Sequence, residues 1–176
     1  MSMPSYFISS DTNLWRDFFV IDHLDKPFLL PHTYHMVDYM FVSERACFGG
    51  GQTLLDLGLR LVSMSDKELL LMQRYQQENV ALSVQDASAL ALAKERGWLL
   101  LTGDRRLREA ALREQVPVCG SIWILTELLN QNLIVPERMI EICEAMKAAT
   151  QKWDRRLPLK ELEGIIQKCV GIITSR

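Results

Sequence analysis

Long hydrophobic runs are missing from this 176-residue chain, whose apolar stretches, for example Trp98–Leu101, are short. A membrane-crossing helix needs about 20 consecutive apolar residues, so no membrane span is expected. The opening Met-Ser-Met-Pro-Ser-Tyr carries neither the basic region nor the apolar region of a secretory signal, and a cytoplasmic protein is expected. Cysteine is scarce: Cys47, Cys119, Cys143 and Cys169 stand far apart with no C-x-x-C pair, which excludes a disulfide-stapled miniprotein and points to reduced, mostly buried thiols. There is no excess of one charge either. Twenty Lys plus Arg against 22 Asp plus Glu leave a net charge of −2. The chain is no general polyanion binder, and any nucleic-acid contact has to come from a local basic patch.

What is present is ordinary globular material, 48% apolar and 24% charged, in a length that suits about one domain. Tyr6-Phe7-Ile8 is a short β-prone run, followed by a helical stretch with Trp15, Phe18, Phe19 and Val20. Phe28–Leu30 reads as a second strand. The segment from His32 to about Val42, opened by Pro31, has helix-like spacing at Met36, Val37, Met40 and Phe41. Gly49-Gly50-Gly51 breaks it as a flexible connection, and Leu57–Val62 reads as a third strand. Ser65-x-x-Glu68 and Ser83-x-x-Asp86 are capping boxes that open two helices, the second ended by Gly97. Trp98–Leu101 reads as a buried strand, Asp104 as the N-cap of the next helix, and Val116–Cys119 as a final strand. Further helices start at Ser121, near Pro136 and near Pro158. Strands alternating with helices imply an α/β fold, a mostly parallel sheet covered on both faces.

Ligands bind beyond the carboxyl ends of the strands in such a sheet. Asp11, after the first strand, and Asp104, after the Trp98–Leu101 strand, fall there; Asp86 lies in the first turn of the helix that leads into that strand. Packed carboxylates repel one another, so their convergence makes most sense around a hard divalent cation, Mg²⁺ or Mn²⁺. Taken singly, Asp86 and Asp104 also have ordinary helix-end roles.

Order and context together resemble the PIN-domain ribonucleases, which include the toxins of VapBC-type toxin–antitoxin pairs. Ser10-Asp11-Thr12-Asn13-Leu14-Trp15 resembles the family's opening strand–D-T-N–helix block. Leu82–Ala93 resembles its S-x-x-D-x-x-A-L-A-x-A block, Leu100–Arg108 its L-L-T-x-D-x-x-L block, and Val116–Ser121 its last strand and turn. The 82–108 stretch is the specific part. The resemblance implies a three-layer PIN-like fold in one domain over 1–176, with a core at about 5–130 and a helical extension at about 134–176. It implies a metal-dependent endoribonuclease in which Asp11, Asp86 and Asp104 hold Mg²⁺ or Mn²⁺. The family's additional acid, usually Glu, has no unmistakable counterpart; Asp38 is the choice and Glu44 its rival. Asn13, Ser83 and Thr102 would orient carboxylates or water. An RNA substrate, an antitoxin protein and a homodimer are the partners implied.

Arg105, Arg106 and Arg108, with Arg113, are candidate contacts to RNA phosphates or else a solvated helix face. Lys152, Arg155 and Arg156 read as surface. His32-x-x-His35-x-x-Asp38 has ligand-type residues, but three-residue steps fan them around a helix, so the histidines read as surface or pocket-rim residues. Gly49-Gly50-Gly51 is not followed by the Lys-Ser/Thr of a phosphate-binding loop. Two other classes stand beside the nuclease. One is a non-catalytic PIN-like module binding RNA or protein, motivated by the imperfect additional acid. The other is a receiver-like phosphoacceptor, against which the D-T-N start and the lack of a clear Lys on the final strand argue.

Overall fold

The computed structural model describes residues 5–42, 51–152 and 157–175, so Glu44, Cys47, Gly49, Gly50, Arg155 and Arg156 lie outside the described residues. The chain divides into two compact units, Met1–Leu14 with Pro31–Cys119, and Trp15–Leu30 with Gly120–Arg176.

The first unit is built on five strands: β1 (Phe7–Ser10), β2 (Thr33–Val37), β3 (Arg60–Val62), β4 (Leu99–Leu101) and β5 (Val118–Cys119). They form one all-parallel sheet in the order β3-β2-β1-β4-β5. The α/β architecture with a parallel central sheet is therefore as expected. From β1 the chain steps outward through β2 to β3, then returns to the other side of β1 for β4 and β5. The winding direction thus reverses between β1 and β4, and a parallel sheet opens its ligand crevice at such a point. β1 is polar for a central strand, and two hydroxyls resolve this: Ser9 Oγ donates to the Ala89 carbonyl at 2.9 Å and Ser10 Oγ to the His35 carbonyl at 2.8 Å.

Helix α1 (Thr12–Phe19) follows β1, α2 is Gly51–Leu57, α3 is Asp66–Glu78, α4 is Val84–Arg96 and α5 is Arg105–Arg113. Local sequence sets their ends. Both capping boxes form, Ser65 with Glu68 and Ser83 with Asp86, and Asp104 caps α5 by accepting from the Leu107 N–H at 2.9 Å. Gly97 ends α4 in the left-handed region at φ +65°, where a side chain would be strained. Leu82, Ala87, Leu90, Leu100, Leu107 and Ala111 form the buried core shared by α4, α5 and β4. At about 25 cal/mol per Å² of apolar surface removed from water, side chains of this kind supply most of the unit's stabilisation.

Three sequence expectations are corrected. Phe28–Leu30 is not a strand: Lys26–Leu29 forms a 3-10 turn opened by Pro27, and β2 lies further on at Thr33–Val37. Pro27 and Pro31 have no N–H to give a ladder, whereas Tyr34–Val37 is a continuously buried run suited to a central strand. Only 38–42 of the expected 32–42 helix is helical; a strand running straight into a helical turn imitates the apolar spacing of one longer helix. Finally, Gly51 starts helix α2 instead of serving as a flexible break, and its helix takes Leu57 from the expected third strand. Gly58, at φ +112°, ends that helix ahead of β3.

The second unit is helical. Trp15 is buried and stacks on Phe28, with ring centroids 5.2 Å apart at 17°. Helices α6 (Ser121–Asn130), α7 (Pro136–Lys152) and α8 (Leu159–Thr174) pack together through buried Leu128, Met139, Ile142, Met146, Leu162 and Ile166. Cys119 in the first unit and Cys143 and Cys169 in this one are buried free thiols, and burial pushes Cys143 up to about 12. Among the described residues, no helix is long and apolar enough to cross a membrane.

Candidate functional site

The strands deliver a row of polar residues just past their carboxyl ends: Ser63 after β3, Asp38 after β2, Asp11 after β1, and Thr102 with Asp104 after β4. β1 and β4 are register neighbours, Ser10 opposite Leu101, and the ladder continues with the Asp11 N–H donating to the Leu101 carbonyl at 3.1 Å. Asp11 and Thr102 are therefore held side by side at the point where the winding reverses.

Their side chains join. The Thr102 hydroxyl donates to Asp11 Oδ2 at 2.9 Å and accepts from the Asp104 N–H at 3.0 Å. Asp11 Oδ1 accepts from the Asn13 N–H at 3.1 Å. Thr102 is fully buried and Asp11 is 3% exposed, so a carboxylate sits inside the fold with its oxygens placed by fixed donors. Arg108 reaches back to the Thr102 carbonyl at 3.1 Å and braces the same turn. Asp104, half-buried, spends Oδ1 on its helix cap, and no described residue donates to its Oδ2.

Asp86 comes to this edge by topology. α4 runs into β4 through Gly97 and lies antiparallel to the strands, which puts its first turn at their carboxyl ends. Starting from the Ser9–Ala89 hydrogen bond, Asp11 is two strand residues away, about 6.6 Å, and Asp86 three helical residues, about 4.5 Å, in the same direction. The half-buried Asp86 carboxylate takes the Ser83 N–H at 3.1 Å and the Ser83 hydroxyl at 2.7 Å, both on Oδ2. Asp38 is engaged toward β3: Oδ1 accepts from the Tyr39 N–H at 2.7 Å and Oδ2 from the Ser63 hydroxyl at 2.5 Å. Tyr39 in turn hydrogen-bonds Ser88 on α4.

Whether this edge suits a divalent cation is decided by its donors. All are oxygens, the preference of Mg²⁺ and Mn²⁺, and among the described residues no Lys or Arg lies within ion-pair distance of Asp38, Asp86 or Asp104. Thr12, beside Asp11, is buried with a hydroxyl that meets no described protein partner, a situation that buried polar groups resolve with water or a ligand. Against this, no three of His, Cys, Asp and Glu among the described residues gather closely enough to hold an ion. Mg²⁺ commonly keeps several waters and binds through one or two carboxylates. The donors therefore fit an ion held by one or two carboxylates and water, not a cage of three carboxylates.

Of the arginines, Arg105 pairs with Glu109 at 2.8 Å and Arg108 is used as the brace. Arg106 is exposed with no described acidic partner. Of the two histidines in that motif, His35 is buried and His32 half-buried. His35 is 5% exposed on β2 and stacks on Trp98 with centroids 4.3 Å apart, and His32 makes an edge contact with Tyr6. Only His35 lies on β2; His32 precedes the strand, so the two do not share a helix face. Sequence reasoning missed Ser63 and Thr12, which the strand-end rule and the D-T-N motif were able to flag. It also missed the Glu68–Arg96 pair, for which no local signal exists.

Burial lowers the His35 pKa from its ordinary 6.5; backbone groups of Ile8 and Thr33 oppose this, while Arg60 and Arg96 add to it. As pH falls, the unfolded chain takes up this proton before the folded one, so stability declines below about pH 6.5. His35→Phe is expected to flatten that decline. Urea unfolding at about pH 8 and about pH 5 checks it, and equal losses in both proteins exclude His35 as the source.

A PIN-domain family model matches residues 54–169, covering Asp86 and Asp104 but neither Asp11 nor Asp38. Comparison with curated proteins and with solved structures returns no match. The parallel sheet, the acids at its carboxyl edge and the extent of this match lead to one conclusion: the chain belongs to the PIN-domain family, a family of nuclease-type folds.

Proposed function

We propose that this protein is a metal-dependent endoribonuclease that hydrolyses RNA phosphodiester bonds at the carboxyl edge of its sheet. The observation that carries this reading is the Asp11–Thr102–Asp104 connection at the β1/β4 reversal. Asp11 and Asp104 are the residues we assign to an Mg²⁺ or Mn²⁺ ion, with Asp86 and Asp38 completing the acidic edge. When bound, such an ion supplies Lewis acidity and lowers the pKa of an attacking water.

The chain's own residues do the placing. Thr102 aims Asp11 by donating to one oxygen, and the Asn13 N–H holds the other. The Leu107 N–H fixes the Asp104 carboxylate and leaves Oδ2 for a ligand. Ser83 orients Asp86 in the same way. Arg106 is the exposed cation best placed on α5 to meet an RNA phosphate. The role of a toxin controlled by an antitoxin protein, as a cytoplasmic homodimer, belongs to the same reading and rests on the likeness of the Ser10–Trp15 and 82–108 motifs to VapBC-type toxins.

A second reading has its own support. The four acids all accept hydrogen bonds from protein donors, and no group of three ligating side chains forms among the described residues, as suits a non-catalytic RNA- or protein-binding module. Incubation of the full chain with unstructured RNA and Mg²⁺ or Mn²⁺ separates the two. Cleavage that stops on chelation and returns with added metal is the expected result. Binding without cleavage, across metals and sequences, assigns the chain to the second reading.

A further inference from the structure

At the opposite end of β1 the side chains are aromatic and cationic. Register pairs Ser9 with His35, His35 with Arg60 and Ile8 with Leu99, so Phe7, His35, Arg60 and Trp98 project from one face of the sheet. Three of them stack nearly parallel: Trp98 on His35 at 4.3 Å and 28°, Phe7 on Trp98 at 5.8 Å and 20°, and Phe7 on His35 at 6.0 Å and 29°. The Arg96 guanidinium lies 5.0 Å over the Trp98 ring. The stack does not close on itself, for Phe7 is 53% exposed although its strand is central, and the adjoining Tyr6 is 41% exposed. Arg60 is exposed and has no acidic partner among the described residues, whereas Glu68 is neutralised by Arg96 at 2.6 Å.

We propose that this patch, Phe7 on the Trp98–His35 stack flanked by Arg60, is a stacking platform for bases of single-stranded RNA, remote from the acidic edge. The inference rests on the reading of RNA as the substrate. Single-stranded nucleic acids are bound by aromatic rings that carry successive bases and by cations that follow the backbone, and an exposed ring beside an unpaired arginine offers both. A purely apolar protein partner has no use for the Arg60 charge, which no acid among the described residues pairs. Phe7 and Asp11 are four strand residues apart, about 13 Å, so the platform serves a long RNA and not a fragment confined to the acidic edge.

The test uses the full chain with short and long fluorescent oligouridylates, read by anisotropy and by tryptophan quenching in wild type against Trp98→Phe, with thermal unfolding as the control for folding. Phe7→Ala is expected to weaken binding of the long oligomer about tenfold, the scale of one base stacked on one ring. Phe7→Tyr, which keeps the ring, retains the affinity, and the short oligomer does not distinguish the proteins. Arg60→Ala lowers the salt slope by about one. Unchanged binding by Phe7→Ala, or equal loss by Phe7→Tyr, overturns the platform. So does a concentration-dependent self-association that Phe7→Ala abolishes while RNA binding stays intact. Cleavage of the same oligomers is followed in parallel. If wild type cleaves and Phe7→Ala binds and cleaves equally, the platform fails and the nuclease reading stands. If wild type binds through Phe7 without cleaving, the nuclease reading fails and the platform stands.

Discussion

Asp104→Asn is expected to lower metal-dependent RNA cleavage by about 100-fold or more, the scale of a lost electrostatic contact at a reacting centre, while leaving the fold intact. Asp104 does two separable things. Its Oδ1 caps α5 through the Leu107 N–H, and its charge is countered by no Lys or Arg among the described residues. Asparagine caps a helix about as well as aspartate, so the change in stability is about 1 kcal/mol or less, and relief of repulsion among the acids works in its favour. What the amide removes is the charge that a hard cation needs. Thr102→Val in the same assay tests the positioning arm: it takes a donor from Asp11 Oδ2 and an acceptor from the Asp104 N–H, and Thr102→Ser should restore what Val loses. RNA degradation and thermal unfolding, measured together on each protein, decide the matter. Robust cleavage by Asp104→Asn removes this residue from the site, and equal activity in Val and Ser variants removes Thr102.

The largest loss of stability is expected from Arg96→Ala. Glu68 is 1% exposed and takes two bonds from Arg96, Nε to Oε1 at 2.6 Å and Nη2 to Oε2 at 3.2 Å, besides the Ser65 N–H at 2.6 Å. Arg96 also donates to the Ser63 carbonyl at 3.1 Å. Removing it strands a buried carboxylate. Such losses run to about 3–5 kcal/mol for fully buried pairs, and because the Arg96 side chain is 29% exposed we expect about 2–3 kcal/mol after allowance for solvent screening. Burial alone pushes the Glu68 carboxyl upward, but the hydrogen bonds from Arg96 and Ser65 outweigh it and hold the group below its ordinary 4.5. Its contribution is thus present above that value and fades as pH falls through the lowered one. In Arg96→Ala the unpaired carboxylate gains by taking up a proton, so the gap to wild type should narrow on acidification. Urea unfolding at neutral and acidic pH measures this, and a gap that is constant with pH rules out Glu68 as its origin.

Much of this fold is legible in short stretches of residues. The capping boxes at Ser65 and Ser83, the Asp104 cap and the Gly97 stop each depend on contacts within about four residues along the chain, so composition at fixed offsets suffices to locate them. The alternation of strand and helix is legible for the same reason, and with it the prospect that Asp11, Asp86 and Asp104 stand at one edge. Pairing partners are a different matter. Thr33–Val37 became β2 because a buried slot beside β1 was available to it, a long-range gain that overrides the helical spacing of its side chains. That shift put Asp38 at the start of the helical turn just past the end of β2, where Ser63, brought in by β3, could bind it. The Thr102 link between Asp11 and Asp104, the Glu68–Arg96 pair and the Phe7–His35–Trp98 stack all join residues far apart in the chain. No local pattern encodes them, because each exists only after the β3-β2-β1-β4-β5 order has set the strands side by side, or α3 has packed on α4, and water has been excluded around the groups that meet there.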